Sequence, residues 1–127
     1  MDINNINVIV LAYLGDAIYE VYIRESLINK GINKVERLQE ESVKYVSAKG
    51  QAKILDSLIS TGILNEEESD IVKRGRNYKR SAHPKNTDIV TYKYATGLEA
   101  LIGYLDMENN KERIDEIMNF ILEDNIC

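Results

Sequence analysis

The sequence predicts an all-α domain of about six helices, and three observations lead there. Apolar residues recur at intervals of three and four in one segment after another. No stretch alternates apolar and polar residues as a half-buried strand would. The one proline, Pro84, falls in the only segment without helical periodicity. At 127 residues and 14.5 kDa the chain is long enough for one core and short for two, so residues 1–127 are expected to form a single domain.

The first helix is expected from about Asn5 to Ile28, with Asn29-Lys30-Gly31 as its stop and Gly31 suited to a left-handed cap. Leu11, Leu14, Ile18 and Tyr22 form an apolar stripe along it, and Ile9, Tyr13, Tyr19 and Ile23 surround Asp16 on the other side. A helix apolar on most sides is expected to be largely buried, which would leave Asp16 desolvated. Val35, Leu38, Val43, Tyr45 and Val46 predict a second helix beginning near Asn33. Ser47 is suited to cap a third, which carries Ala52, Ile54, Leu55, Leu58 and Ile59 and ends at Thr61-Gly62.

Asn65 followed three residues later by Glu68 is a capping-box pattern, so a short fourth helix is expected from Glu66 to about Arg76. Asn77 to Thr87 reads as an irregular loop, long for a helical domain and therefore a candidate for function. A long helix from Asp88 to Met107, a turn at Asn109-Asn110 and a last helix from Lys111 to Glu123 complete the series. Ile114, Ile117, Met118 and Ile121 give that final helix a single apolar face.

Composition narrows the classes of function. The single cysteine, Cys127, allows no intramolecular disulfide and no thiolate cluster, and a reducing, cytoplasmic setting fits. The first residues lack the pattern of a signal peptide, and Asp16 and Glu20 interrupt the longest apolar run, so no membrane span is expected. A net charge of −5 would ordinarily argue against a nucleic-acid partner. Its distribution argues otherwise, because Lys73, Arg74, Arg76, Lys79, Arg80 and Lys85 fall together with no acid among them. A chain so polarised can steer a polyanion to one patch, although a solvated loop would carry the same composition.

Two carboxylates stand out. Asp16 has Gly15 beside it, and Glu99 shares a helix face with Ala95, Thr96 and Gly103. Small residues let helices approach closely, so a crossing here would bring Asp16 to Glu99. Two carboxylates that close repel unless a divalent cation lies between them. On the residues alone two accounts of Asp16 stand: a buried acid held by an arginine or backbone donors, or a ligand to Mg²⁺ or Mn²⁺ in phosphoester hydrolysis. Glu20 is either a further orienting carboxylate or the i+4 partner of Arg24. Lys93 either neutralises phosphate or pairs with an acid, and His83, the only histidine, reads as incidental.

Leu14-Gly15-Asp16-Ala17-Ile18-Tyr19-Glu20 resembles the signature of the ribonuclease III catalytic domain, and Leu98-Glu99-Ala100-Leu101-Ile102-Gly103-Tyr104-Leu105 resembles its second acidic motif. Their spacing, together with Arg74-Gly75-Arg76-Asn77 and Pro84-Lys85-Asn86-Thr87-Asp88, is similar to the short Mini-III branch, which lacks the double-stranded-RNA-binding domain. The resemblance implies an all-helical homodimer, a Mg²⁺-dependent endonuclease (Mn²⁺ being an alternative) on double-stranded RNA, and maturation of 23S ribosomal RNA precursor. Asp16 and Glu99 match the metal-binding acids. Ala12 and Thr96 stand where full-length ribonuclease III carries a glutamate and an aspartate, which implies one firmly held ion per site and a second arriving with RNA.

With no separate RNA-binding domain, the expected contact surface runs from Lys73 to Lys85, with Arg74, Arg76, Lys79 and Arg80 on phosphates and Asn77 or Tyr78 able to reach sugar. A ribosomal protein presenting the RNA is a further partner to consider. Two rival classes are a non-catalytic helical RNA-binding or ribosome-associated protein of the same fold, and an all-α nucleotide pyrophosphohydrolase. A metal-dependent assay on duplex RNA and on nucleoside triphosphate separates the three.

Overall fold

Caps set where each helix begins. The computed structural model describes residues 2–79 and 88–123, and among them there are six α-helices and no strand. They are α1 (Val8–Asn29), α2 (Val35–Val46), α3 (Ala48–Thr61), α4 (Glu66–Arg76), α5 (Ile89–Met107) and α6 (Lys111–Glu123). The expectation of about six helices is met.

The start of α1 is later than the sequence suggests. Asp2 accepts a hydrogen bond from the Asn4 N–H at 3.0 Å and opens a separate 3-10 turn over Ile3–Asn5. Asn7 then caps α1 by accepting from the Ile9 N–H at 2.9 Å. Ser47 caps α3 through the Gly50 N–H at 3.0 Å, and Gly62, in the left-handed region, closes that helix as expected. Asn65 and Glu68 form the reciprocal capping box of α4, with N···O distances of 2.8 and 3.0 Å. Asp88 turns out to be the cap of α5, accepting from the Thr91 N–H at 2.9 Å.

α5 is the central helix. It packs against α1, α3, α4 and α6, and Ala95 through Leu105 are buried except for Glu99. Leu11, Tyr19 and Ile23 from α1, Leu98 and Ile102 from α5, Ile54, Leu55 and Leu58 from α3 and Ile114, Ile117 and Ile121 from α6 belong to one core cluster. The Tyr19 hydroxyl, fully buried, donates to the Tyr45 carbonyl at 2.8 Å and ties α1 to the end of α2. A buried ion pair joins α4 to α6: Arg113 donates to both oxygens of Glu68 at 2.8 Å and to the Ile63 carbonyl at 2.7 Å. Burial raises the pKa of Glu68, but Arg113 and the Asn65 N–H more than offset this and hold it below the ordinary value.

The buried side of α1 differs from the expected stripe. Val8, Leu11, Ala12, Gly15, Tyr19, Ile23 and Leu27 are buried, whereas Leu14, Ile18 and Tyr22 are half-buried and Asp16 is exposed. The reason is steric. Ala12 and Gly15 contribute little hydrophobicity, yet they are what allows the α5 backbone to lie against this side. Bulkier apolar residues are thereby left facing water: Tyr13 is 83% exposed, with Val10 and Val21 on the same side.

Candidate active site

The site is built on a helix crossing made of glycine. A Cβ added at Gly15 would fall 2.7 Å from the Glu99 carbonyl carbon and 2.8 Å from the Gly103 nitrogen. One added at Gly103 would fall 2.7 Å from the Leu11 carbonyl carbon. The two backbones are therefore in direct contact, and only glycine permits it. Leu11 faces Gly103 while Gly15 faces Glu99, so the helices run antiparallel where they touch.

This contact carries Asp16 to Glu99. The Asp16 Cα lies about 3.8 Å from that of Gly15 by the geometry of a trans peptide, so it is within about 8 Å of the Glu99 carbonyl carbon. The expectation that the helices cross at these residues is met. The expectation that Asp16 is desolvated is not: α1 turns by about 100° per residue, and with Gly15 facing α5 its neighbour emerges at the edge of the contact, in water. Glu99 is half-buried at the corresponding edge of α5.

Among the described residues, no group of three or more His, Cys, Asp and Glu is placed to hold a metal ion. A cage made wholly by protein is thus not formed there. Two carboxylates, one in water and one half-buried, instead suit a hard cation that keeps most of its waters, as Mg²⁺ does. Ala12 and Thr96 are buried, and the Thr96 hydroxyl donates to the Tyr92 carbonyl at 3.0 Å, so neither position offers a free oxygen to solvent. Glu20 accepts from Arg24 at 3.0 Å, the pairing its spacing suggests.

Among the described residues, the basic run does not form one face. Gly75 packs against α5, where an added Cβ would lie 3.0 Å from the Ala100 Cβ, 3.1 Å from the Gly97 Cα and 3.2 Å from the Thr96 carbonyl oxygen. The end of α4 is therefore fixed beside the turn of α5 that carries Glu99. Lys73, Asn77 and Lys79 are exposed there, with Asn77 as the C-cap of α4. Arg74 points elsewhere, into an open cleft of about 640 Å³ that also takes Asp2, Glu67, Asp70, Tyr104 and Glu108. The Tyr104 hydroxyl donates to Glu108 at 3.1 Å, and burial together with Glu108 and Glu67 pushes its pKa up to about 12. Arg80, His83 and Lys85 lie outside the described residues. Lys93 is half-buried on α5.

One contact near the site escaped the sequence reading. The Arg76 guanidinium carbon lies 5.7 Å from the centre of the Tyr94 ring, within range of a cation–π interaction. Tyr94 and Arg76 are eighteen positions apart on different helices, so no spacing rule pairs them.

The same architecture occurs in known proteins. The family model described as ribonuclease III domain matches residues 9–110, a span that contains both acids and the crossing. A protein named Mini-ribonuclease 3 from Streptococcus pneumoniae is 45% identical over 97% of this chain and 96% of its own length. Its namesake from Brevibacillus brevis is 50% identical over 92% of this chain and 86% of its own. An X-ray crystal structure of a Fusobacterium nucleatum protein is 34% identical, covers 97% of this chain and 98% of that one, and has a TM-score of 0.84.

Proposed function

The chain belongs to the ribonuclease III family, and on that premise we propose that it cuts double-stranded RNA at the α1–α5 crossing, with Asp16 and Glu99 holding a Mg²⁺ ion (Mn²⁺ in its place). It is an endoribonuclease of the ribonuclease III type. The observation that carries the finer reading is the backbone contact through Gly15 and Gly103, which brings Asp16 beside Glu99.

Asp16 and Glu99 would hold the divalent cation, whose chemistry when bound would be to make a water more acidic and to polarise the phosphoryl oxygen. The chain's own part is to present two carboxylates from two rigid helices, so that their separation is fixed before RNA arrives. Asp16 in water and Glu99 half-buried would hold one hard cation while leaving the rest of its shell to waters and a substrate phosphate, and a second ion would come with the RNA. Lys73, Arg76 and Lys79 take phosphates of the duplex and Asn77 reaches sugar, with Arg80 and Lys85 extending the run; Arg74, turned into the cleft with Asp2, Glu67, Asp70 and Glu108, is left out of it. The whole chain, residues 1–127, acts as one catalytic domain in the cytoplasm. Among the described residues, no helix is long and apolar enough to cross a membrane.

Two copies pair through α1. Tyr13, Val10 and Val21 are exposed on one side of that helix, beside an apolar cleft of about 550 Å³ lined by Ile6, Leu14 and Met107. An aromatic residue next to an apolar cleft on one face is self-complementary under a two-fold axis. The RNA is 23S ribosomal RNA precursor, presented by a ribosomal protein.

The test is cleavage of a duplex RNA by Asp16→Asn and Glu99→Gln proteins with Mg²⁺. Both variants should retain the helical circular dichroism of the parent and lose cleavage by a thousandfold or more, on the order of other losses of charge-stabilising groups. Cleavage at parental rates by both removes the assignment of the site.

A further inference from the structure

Arg76 and Tyr94 differ from the rest of the basic surface in being a fixed pair. Lys73 and Lys79 are exposed side chains on flexible stems. Arg76 is half-buried, and it follows Gly75, whose packing on Thr96, Gly97 and Ala100 locks the end of α4 to α5. Its guanidinium lies over a ring that is itself half-buried on α5. A guanidinium held over a ring still carries its N–H donors in its own plane, and those are the groups that grip a phosphate by two oxygens.

We infer that Tyr94 is a positioning residue, whose ring holds the Arg76 guanidinium ready for a phosphate flanking the one that is cut. This rests on the duplex-RNA reading above. Tyr94 precedes Glu99 by five residues, about 7.5 Å along the axis of α5 and on another side of it. Arg76 therefore acts on a neighbouring phosphate, and its contribution falls on substrate binding. Preorganisation removes the cost of ordering a long side chain when the RNA docks.

The experiment measures single-turnover cleavage and anisotropy of a labelled duplex RNA with Mg²⁺ across a salt series. It compares the parent with Arg76→Ala, Arg76→Lys, Tyr94→Leu, Tyr94→Phe and the double variant Arg76→Ala/Tyr94→Leu. Arg76→Ala should weaken binding about tenfold and lower the salt slope by about one. Tyr94→Leu should raise Kd and KM about three- to fivefold with kcat unchanged, as expected for loss of a partly exposed cation–π contact. Tyr94→Phe keeps the ring face and should match the parent. The double variant should be no weaker than Arg76→Ala alone.

Arg76→Lys is the control that does not threaten the fold: it retains the charge and the salt slope but loses the planar fork of donors, and should bind about threefold more weakly. Additive effects in the double variant, a Tyr94→Phe protein as weak as Tyr94→Leu, a fall in kcat, or Arg76→Lys binding like the parent would each overturn the inference. A parent that neither binds nor cuts duplex RNA would instead refute the underlying reading. Cutting by the parent with unaltered Arg76→Lys and Tyr94→Leu proteins removes Tyr94's role alone.

Discussion

Gly15→Ala is the substitution that most directly tests the crossing. The new Cβ would meet the Glu99 carbonyl carbon at 2.7 Å and the Gly103 nitrogen at 2.8 Å, where ordinary contact begins at 3.4 Å. The Glu99 carbonyl oxygen would lie closer still, so the shortfall is more than about 0.7 Å. Both neighbours are helix backbone, so no change of rotamer relieves it, and α5 is held from behind by α3 and α4. Alanine gains about 1 kcal/mol over glycine in helix propensity. Overpacking of this kind costs about 1–3 kcal/mol or more, and parting the helices also loosens Leu11 and Tyr19 on either side of the contact. Sterics should therefore win, with a net destabilisation of about 2 kcal/mol and a fall in Tm of about 6–10 °C for a domain of this size. Thermal and urea unfolding by circular dichroism read this directly. Cleavage of duplex RNA, measured at a temperature where the variant is folded, should fall about tenfold to a hundredfold, because misplacing catalytic groups by about 1 Å is that costly. Gly31→Ala is the control: Gly31 has φ of +96° but nothing within 4 Å, so it should cost about 1 kcal/mol in backbone strain and leave cleavage intact. A Gly15→Ala protein as stable and as active as the parent would refute the account of the site.

Glu68→Gln should cost about 3 kcal/mol at neutral pH, because it leaves Arg113 partly buried without its counter-charge. Since Arg113 holds Glu68 below the ordinary value of 4.5, the pair's contribution is complete above that pH and is lost as pH falls through the lower folded-state pKa. The parent should therefore lose stability more steeply than Glu68→Gln below about pH 4.5 in urea titrations, and equal slopes would contradict the sign. Tyr13→Asp, which puts a charge into the exposed apolar side of α1, should convert a dimer to a monomer in sedimentation velocity without lowering the helical signal. An unchanged sedimentation coefficient would place the interface elsewhere.

What could be read from the sequence is what depends on neighbours in the chain. Asn65 with Glu68, Ser47, Gly62 and the turn at Asn109 each satisfy backbone groups within a few residues, and each has the conformation its type predicts. The facing of α1 depends on a different helix. By hydrophobicity Tyr13 and Val10 outrank Ala12 and Gly15, yet the latter pair is buried. Periodicity weighs transfer free energy and is blind to how near another backbone can come. For the same reason Asp16 reads as desolvated from its apolar neighbours, when Tyr13 beside it is itself in water and only Tyr19 and Ile23 turn into the core.

The same physics explains why the site lies where it does. α5 is approached twice through small residues, by α1 at Gly15 and Gly103 and by α4 at Gly75 and Gly97. Each glycine looks like a defect in a helix taken alone, costing about 1 kcal/mol against alanine. Taken together they let two helices touch the backbone of a third within about two turns, from Thr96 to Gly103. Glu99 is in that stretch, so the acid of α1 and the basic end of α4 are both fixed relative to it by main chain rather than by side-chain packing. The proposed site, with two carboxylates and a polyanion to keep in register, would gain from this, because backbone contacts between buried helices have no rotamers through which to drift. Larger residues at these glycines would be expected to disturb Glu99's two neighbours separately: Gly15→Ala should impair turnover, and Gly75→Ala, with its milder contacts of 3.0–3.2 Å, should chiefly weaken binding of RNA.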